Sequence, residues 1–95
     1  QLQYKPAASV AVCRRGGASA TFDRLNKYFT IKNMPVVSSQ YWNSVHGMNI
    51  GEAQCDQEGM QTMRTLARNM AWMLRHLRGT ELPEKETPTP TNFIR

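Results

Sequence analysis

Residues 7–13 read AASVAVC, and residues 14–17 follow with RRGG. A continuous apolar run that ends in glycines is typical of a parallel strand that is covered on both faces. The sequence therefore predicts a buried strand over 7–13, followed directly by a short loop that carries positive charge.

A helix is predicted next, over residues 18–32, because apolar side chains recur there every three or four residues. Ser19 or Thr21 can cap its start, and Asp23 suits the positive end of the helix dipole. Pro35 follows, and proline disfavours a helical conformation in the residue before it. The helix is therefore expected to stop before that proline.

The remaining elements are a strand, a loop and a long helix. Residues 35–39 are a short β-branched stretch and predict the strand, whereas residues 40–51 are rich in Asn, Gly and Ser and predict the loop. A helix is predicted over 52–78, with its well-formed part beginning near Gly59. Its core-facing apolar stripe is expected to be the row Met60, Met63, Ala67, Met70, Leu74 and Leu77.

The order strand, helix, strand, helix predicts an α/β unit with two parallel strands and a right-handed crossover. Two strands alone do not make a stable open sheet, so further strands are expected to come from elsewhere. We predict one domain over residues 1–79 and an extended, proline-containing tail over 80–95. Phe93 and Ile94 in this tail are expected to dock on another part of an assembly.

The composition is globular, with 40% hydrophobic residues and no apolar run of about 18 residues that could cross a membrane. The formal charge is +5, but the twelve Lys and Arg residues are scattered, which favours attraction for a phosphorylated small molecule over nucleic-acid binding. Cys13 and Cys55 are too few for a disulfide framework. A cytoplasmic protein that binds neither nucleic acid nor a membrane is therefore expected.

The loops that follow the two predicted strands are the first candidates for a ligand site. Ligands of parallel sheets bind beyond the carboxyl ends of the strands, so residues 14–20 and 40–51 are expected to open on the same side. In the first loop, Gly16 and Gly17 let the backbone approach a ligand, and the neighbouring guanidinium groups add positive charge. The alternative is an ordinary turn with solvated arginines.

The second loop offers aromatic and polar side chains: Tyr41, Trp42, Asn43 and His46. The aromatic rings suit a platform beside a flat ring system, or a hydrophobic anchor of the loop or an oligomer interface. His46 is alternatively an exposed or hydrogen-bonded loop residue. No metal site is predicted, because His76 has no Cys, Asp or Glu at metal-ligand spacing.

Motifs along almost the whole chain resemble those of one known family. They are KPAA (5–8), RRGGA (14–18), TFD (21–23), LNKYF (25–29), MPVV (34–37), QYWN (40–43), HG (46–47), EG (58–59), QTMRTL (61–66), RNMAW (68–72) and TNFIR (91–95). Together they closely resemble the NADPH-dependent FMN reductase family, in its branch related to iron–sulfur flavoproteins. The likeness runs through loops as well as core, and it is weakest over residues 78–90.

The resemblance implies a flavodoxin-like fold with five parallel strands. This chain corresponds to its fourth and fifth strands with their helices, that is, to the C-terminal βαβα half of a doubly wound parallel sheet. The family's phosphate-binding loop belongs to the N-terminal half, which is expected as a partner, together with further copies in a homodimer or homotetramer. The chain alone is therefore expected to be inactive.

The resemblance also implies an oxidoreductase that transfers hydride from NAD(P)H to FMN, and electrons onward to an acceptor such as a quinone or an azo compound. FMN-binding residues are expected in both loops: Arg14, Arg15, Gly16, Gly17, Ala18, Tyr41, Trp42, Asn43 and His46. No covalent catalyst is expected, and the two cysteines do not form an iron–sulfur motif. The alternative is a non-catalytic flavodoxin-like module that serves binding or oligomerisation.

Overall fold

The computed structural model describes residues 2–92 of the chain. In chain order, its regular elements are β1 (Ala11–Cys13), α1 (Ala18–Thr30), β2 (Ser44–His46), a 3-10 turn (Ala53–Cys55) and α2 (Gln57–Leu77). The two strands are parallel neighbours, and the order strand, helix, strand, helix is the predicted one. This is a small mixed α/β fold with a two-stranded parallel sheet and two helices.

The tail has no regular secondary structure over residues 80–92, and it is exposed throughout that range. The predicted docking of Phe93 and Ile94 falls outside the described residues. Among the helices within residues 2–92, none is long and apolar enough to cross a membrane.

Both strands differ in extent from the prediction. The first, predicted over residues 7–13, is regular only in β1, and further upstream a single parallel bridge joins Ala7 to Val36. The second, predicted over residues 35–39, contributes only this bridge. The regular strand β2 lies instead within the segment that was predicted as a loop.

Unequal chain lengths between the two pairing points explain this difference. On the first strand residues 8–10 lie between Ala7 and Ala11, whereas on the second residues 37–43 lie between Val36 and Ser44. The longer segment cannot follow the ladder, so its middle part leaves the sheet as a bulge does. We call residues 38–42 the excursion.

Asn43 bridges the gap that the excursion leaves in the ladder. Its backbone carbonyl accepts a hydrogen bond from the Ala11 N–H, and its side-chain Nδ2 donates to the Ser9 carbonyl, each at 3.0 Å. Asn43 is 1% exposed, and a buried carbonyl without a partner is costly. The Asn43 amide therefore replaces the backbone N–H that the ladder lacks at this point.

The excursion is fastened to α2 at three successive residues, and one of them is Gln40, whose side chain donates to Gln61 at 3.1 Å and accepts from Thr65 at 2.9 Å. The Ser39 hydroxyl donates to the Thr62 carbonyl at 2.7 Å, and the Asn69 amide donates to the Ser38 carbonyl at 2.8 Å. These hydrogen bonds fix both the path of the excursion and the rotation of α2 about its own axis.

α2 packs on the sheet through a different face from the predicted one. Its buried residues lie one position before the predicted stripe, in the row Gly59, Thr62 and Leu66. Since successive helical residues point about 100° apart, the predicted stripe is turned to the side of the sheet contact. This row also bonds to the excursion, through the backbone carbonyl of Thr62, while the Thr62 hydroxyl donates within the helix to the Glu58 carbonyl at 2.9 Å.

The start of α2 is set by Asp56, whose carboxylate accepts the Gly59 N–H at 2.9 Å as an N-cap. The well-formed part of the helix therefore begins close to Gly59, as predicted, and Gly59 itself lies in the first turn. A Cβ at Gly59 would lie 2.5 Å from the Asp56 carboxylate, which explains the glycine there. The helix starts at Gln57 instead of residue 52 and ends close to its predicted end.

α1 begins without the predicted side-chain cap. Its N-cap is Gly17, whose φ of 93° lies in the left-handed region that glycine tolerates. Ser19 and Thr21 lie inside the helix, where the Thr21 hydroxyl donates to the Gly17 carbonyl at 2.9 Å, so the predicted cap is wrong. Asp23 lies beyond the first turn, which holds no acidic residue, and the helix ends at Thr30.

The core is small, and one face of β1 is uncovered. On the covered face, the buried Ser9 hydroxyl donates to Asn26 of α1 at 2.7 Å. On the other face Val10 and Val12 are 42% and 61% exposed, so the prediction of a strand covered on both faces is wrong within the described part of the chain. The buried hydrophobic residues are Ala7, Ala11, Ala18, Val37, Val45 and Leu66.

Asn43→Ala tests the interrupted ladder. The substitution leaves the Ser9 carbonyl without its partner, so we expect the free energy of unfolding to fall by about 1–3 kcal/mol. Urea denaturation followed by far-UV circular dichroism measures this change. Gln54→Ala, at an exposed position, is the control and should change the free energy by less than about 0.5 kcal/mol. Equal stabilities of the two variants would contradict the role of Asn43.

Candidate functional site

β1 and β2 end side by side, because Cys13 pairs in register with His46. The loops that follow these strands meet in one shallow, open cleft of about 520 Å³, which we call the strand-end cleft. The prediction that both loops open on the same side holds for residues 14–15 and 46–48, whereas residues 40–43 of the second predicted loop line a different cavity. The cleft is lined by Arg14, Arg15, His46, Gly47, Met48, Glu52, Cys55 and Asp56.

The loop after β1 leaves open space beside this cleft. A Cβ built on Gly16 or Gly17 would meet no atom within 4 Å. α1 starts directly after these glycines, and the first backbone N–H groups of a helix have no partner within it. Ala18 is buried, and because its side chain is a methyl group its backbone N–H is the only donor it has. Together with the two arginines, this loop suits the anionic or carbonyl-bearing edge of a ligand.

Asp56 joins the end of β2 to the start of α2. Besides capping Gly59, its carboxylate accepts the His46 N–H at 2.8 Å. These two hydrogen bonds, chiefly the one from Gly59, hold the pKa of the Asp56 carboxyl below its ordinary value of 3.8. The His46 Nδ1 lies 3.6 Å from the same carboxylate oxygen, so this carboxylate also attracts a protonated imidazole.

Glu52 fixes the opposite wall of the cleft. Its carboxylate accepts the backbone N–H groups of Met48 and Asn49 at 2.9 and 2.7 Å, and the Asn49 amide at 3.2 Å. The backbone N–H of Asn49 is the main cause that lowers the pKa of Glu52 from its ordinary value of 4.5. Gly47 allows close packing here, since a Cβ would lie 2.7 Å from the Ala53 nitrogen.

Both carboxylates were missed by the sequence reasoning, which assigned residues 52–56 to the start of the last helix, ahead of its well-formed part. For Asp56 a signal exists, because an Asp that precedes a helical pattern is a typical N-cap. For Glu52 the sequence offers no such signal, since the backbone N–H groups of Met48 and Asn49 reach its carboxylate only through the tight turn that precedes it.

The predicted aromatic pair lies elsewhere. Tyr41 and Trp42 belong to the excursion, each is 55% exposed, and their ring centroids are 5.3 Å apart. They line a separate cavity of about 460 Å³, the excursion pocket, together with Phe22 and Asn26 of α1. The two cavities share no lining residue.

The structure therefore divides the predicted FMN-binding side chains into two groups. The strand-end cleft takes Arg14, Arg15 and His46, whereas the excursion pocket takes Tyr41, Trp42 and Asn43. The Asn43 side chain is committed to the ladder, and its buried Oδ1 has no hydrogen-bond partner within residues 2–92. Within that range, the two groups do not form one platform.

The thiols and acidic residues give no metal centre in the described range: no group of three or more His, Cys, Asp and Glu residues there is placed to hold a metal ion. Cys13 and Cys55 are free thiols. Cys55 is exposed, and its Sγ lies 3.7 Å from the Gly51 carbonyl.

Comparison with known proteins gives no further assignment: no family model matches the chain, and neither the curated proteins nor the solved structures gave a significant match. The likeness to FMN reductases thus depends on the sequence motifs alone.

Asp56→Asn tests the carboxylate that joins β2 to α2. Because folding lowers the pKa of Asp56, its contribution to stability is present above 3.8 and is lost as the pH falls below that value. We expect the variant to be less stable than wild type at pH 7 and to lose less stability between neutral and strongly acidic pH. Urea unfolding at a series of pH values measures both effects.

Asp23→Asn is the control for Asp56→Asn, since it removes the same charge from the exposed side of α1. It should leave the pH dependence of the unfolding free energy close to that of wild type. A pH dependence that is the same in wild type and in Asp56→Asn would contradict the assignment.

Proposed function

We propose that the chain is part of an FMN-dependent NAD(P)H oxidoreductase, in which it forms the wall of the flavin site beside the isoalloxazine ring. The strand-end cleft is the observation that carries this proposal, because two parallel strands end there side by side and the first loop brings two arginines and two glycines. Parallel α/β sheets bind ligands at this position. The RRGGA and HG motifs, which carry part of the family resemblance, lie at the same cleft.

The donor set fits one edge of FMN. Reduced flavin carries negative charge near N1 and C2=O, and Arg14, Arg15 and the first N–H groups of α1 would stabilise that charge. The open space at Gly16 and Gly17 leaves room for a planar ring. When bound, FMN supplies the hydride chemistry, while the protein orients the ring and tunes its charge. His46 adds a hydrogen-bonding group whose backbone is fixed by Asp56.

The proposal places this chain as the C-terminal half of a flavodoxin-like sheet, and the uncovered side of β1 supports that placement. Ala11 and Cys13 pair with the second strand, so the backbone groups of Val10 and Val12 point to the opposite edge. A strand from the N-terminal half would pair with this edge, and a helix on that side would cover the two valines.

Self-association in a homodimer or homotetramer is the second part of the proposal. Tyr41 and Trp42 are exposed on a fastened segment outside the cleft, which suits a subunit contact or the flavin of a neighbouring copy. Asn43 is not part of this contact, because its side chain is hydrogen-bonded to the Ser9 carbonyl within the ladder.

A reducing, cytoplasmic compartment is also proposed, and the free thiols of Cys13 and Cys55 are in keeping with it.

A non-catalytic binding or assembly module is the second candidate. It is favoured by the apolar side chains on the second half of α2, where Trp72 and Leu74 are 55% and 50% exposed. Flavin binding separates the two candidates.

Flavin titration tests the proposed function. We expect the chain to quench the fluorescence of FMN and of lumiflavin with similar dissociation constants, because lumiflavin keeps the ring and lacks the ribityl phosphate. Arg14→Gln combined with Arg15→Gln should weaken both flavins by about tenfold or more, since hydrogen bonds from charged groups to the ring edge are lost.

Arg24→Gln combined with Lys27→Gln is the matched control for this titration. It removes the same charge from exposed positions of α1 outside the strand-end cleft, and should leave both dissociation constants unchanged. Absence of flavin binding, or equal weakening by the two double variants, would sink the proposed function.

A further inference from the structure

The outer side of α1 carries apolar side chains that the described part of the fold leaves in water. Tyr28 and Ile31 are 69% and 81% exposed. Together with Arg24 and Lys27 they share one side of the helix, because residues three, four and seven apart point in similar directions. Asn26 points to the opposite side, where it bonds to the segment before β1. An exposed apolar pair on such an outer side marks a contact surface.

Two adjoining cavities follow this side of α1, and we call them together the α1 groove. The larger has a volume of about 570 Å³ and the smaller about 380 Å³, and Ile31 lines both. The surface of one helix is convex, so α1 supplies one wall of the larger cavity, and a segment lying along it would complete the site. The larger cavity is lined by Arg24, Lys27, Tyr28, Thr30 and Ile31, and the smaller by Leu2, Gln3, Ile31, Lys32 and Asn33.

The tail of the chain is held beside this groove. It leaves α2 at Gly79, whose φ is 75°, and reaches the N-terminal segment, where the Lys85 Nζ lies 5.9 Å from the centre of the Tyr4 ring. The Tyr4 N–H donates to the Asn33 carbonyl at 2.9 Å, and Asn33 lines the smaller cavity. The residues that follow Lys85 therefore start close to the C-terminal end of α1.

The remaining tail has the length and the side chains to enter the groove. Residues 86–94 read ETPTPTNFI, and their two prolines favour an extended backbone. Seven extended residues, 86–92, reach about 23 Å, whereas the outer side of α1 from Ile31 back to Arg24 measures about 10 Å. Within residues 86–94, Phe93 and Ile94 are the aromatic and aliphatic side chains. The end of the tail, and not its middle, therefore matches the apolar pair on α1.

We propose that Phe93 and Ile94 dock in the α1 groove of their own chain, against Tyr28 and Ile31. An apolar pair then covers an apolar pair, and the two aromatic rings contact each other. The tail ties α2, the N-terminal segment and α1 together. This places the docking that the sequence predicts within one chain instead of between copies, and it does not rest on the proposed function.

A nitroxide spin label tests the docking in the full chain. The label is attached to Thr91→Cys in a background that carries Cys13→Ser and Cys55→Ser, so that it has one site. It broadens the NMR signals of backbone amides that lie close to it. We expect strong broadening at Tyr28 and Ile31, because residue 91 precedes the docked pair by two positions.

Two release variants remove either side of the contact. One carries Phe93→Ser and Ile94→Ser, and the other carries Tyr28→Ser and Ile31→Ser. Each should lower the equilibrium constant for docking by about tenfold or more, because the burial of two apolar side chains is lost. The broadening along α1 should fall accordingly, while the dispersion of the amide signals shows that the fold is kept.

Matched controls remove exposed apolar side chains elsewhere. Leu82→Ser is the control for the tail, and Trp72→Ser combined with Leu74→Ser removes an aromatic and aliphatic pair from α2. Both controls should keep the wild-type broadening. A mixture of spin-labelled chain with isotope-labelled chain reports contacts between copies, and α1 should show little broadening there.

Three results would overturn the docking: no broadening of α1 in the wild-type chain, undiminished broadening in either release variant, or broadening of α1 in the mixture as strong as within one chain. The last result would assign the contact to a second copy. Flavin is absent from this experiment, so its outcome is separate from that of the titration.

Discussion

The unequal spacing between the two pairing points governs this fold. Residues 37–43 lie opposite residues 8–10, so the excursion has to leave the sheet, and the buried amide of Asn43 closes the gap behind it. The excursion in turn provides the hydrogen bonds that orient α2. One side chain thus satisfies the carbonyl that the interrupted ladder leaves open.

The order of the elements and their parallel arrangement could be predicted, because composition and periodicity are local properties of the chain. The extents of the strands could not. Residues 35–39 have the composition of a strand but contribute only Val36 to pairing, whereas β2 holds polar residues at both ends. Which residues pair depends on how many lie between two distant contacts, and no local pattern reports that number.

The buried face of α2 could not be predicted from a local pattern either. Apolar spacing selected the stripe that begins at Met60, but the buried row is Gly59, Thr62 and Leu66, which brings the Thr62 carbonyl to the Ser39 hydroxyl of the excursion. An apolar stripe predicts that some surface is buried, and it does not say against what. In this chain, Leu74 and Leu77 at the end of the stripe remain 50% and 42% exposed.

The strand-end cleft was predictable in part for a related reason. Topology alone brings the loop with Arg14 and Arg15 beside the loop that follows β2, whatever their detailed shape. The walls of the cleft depend on Glu52 and Asp56, whose hydrogen bonds form only once the turns between them are closed. The aromatic pair at residues 41–42 could not be placed, because the excursion turns it away from the strand ends.

The small side chains of the core have a thermal consequence. Exposure of apolar surface is the main source of the heat-capacity increase on unfolding. The buried hydrophobic residues are mostly alanine and valine, so this chain gains little heat capacity when it unfolds alone, and its stability varies only gently with temperature. A neighbour that covers Val12 or Leu74 adds apolar surface to the transition and bends the stability curve more sharply. The curvature of thermal unfolding, as well as its midpoint, thus reports any partner that covers these side chains.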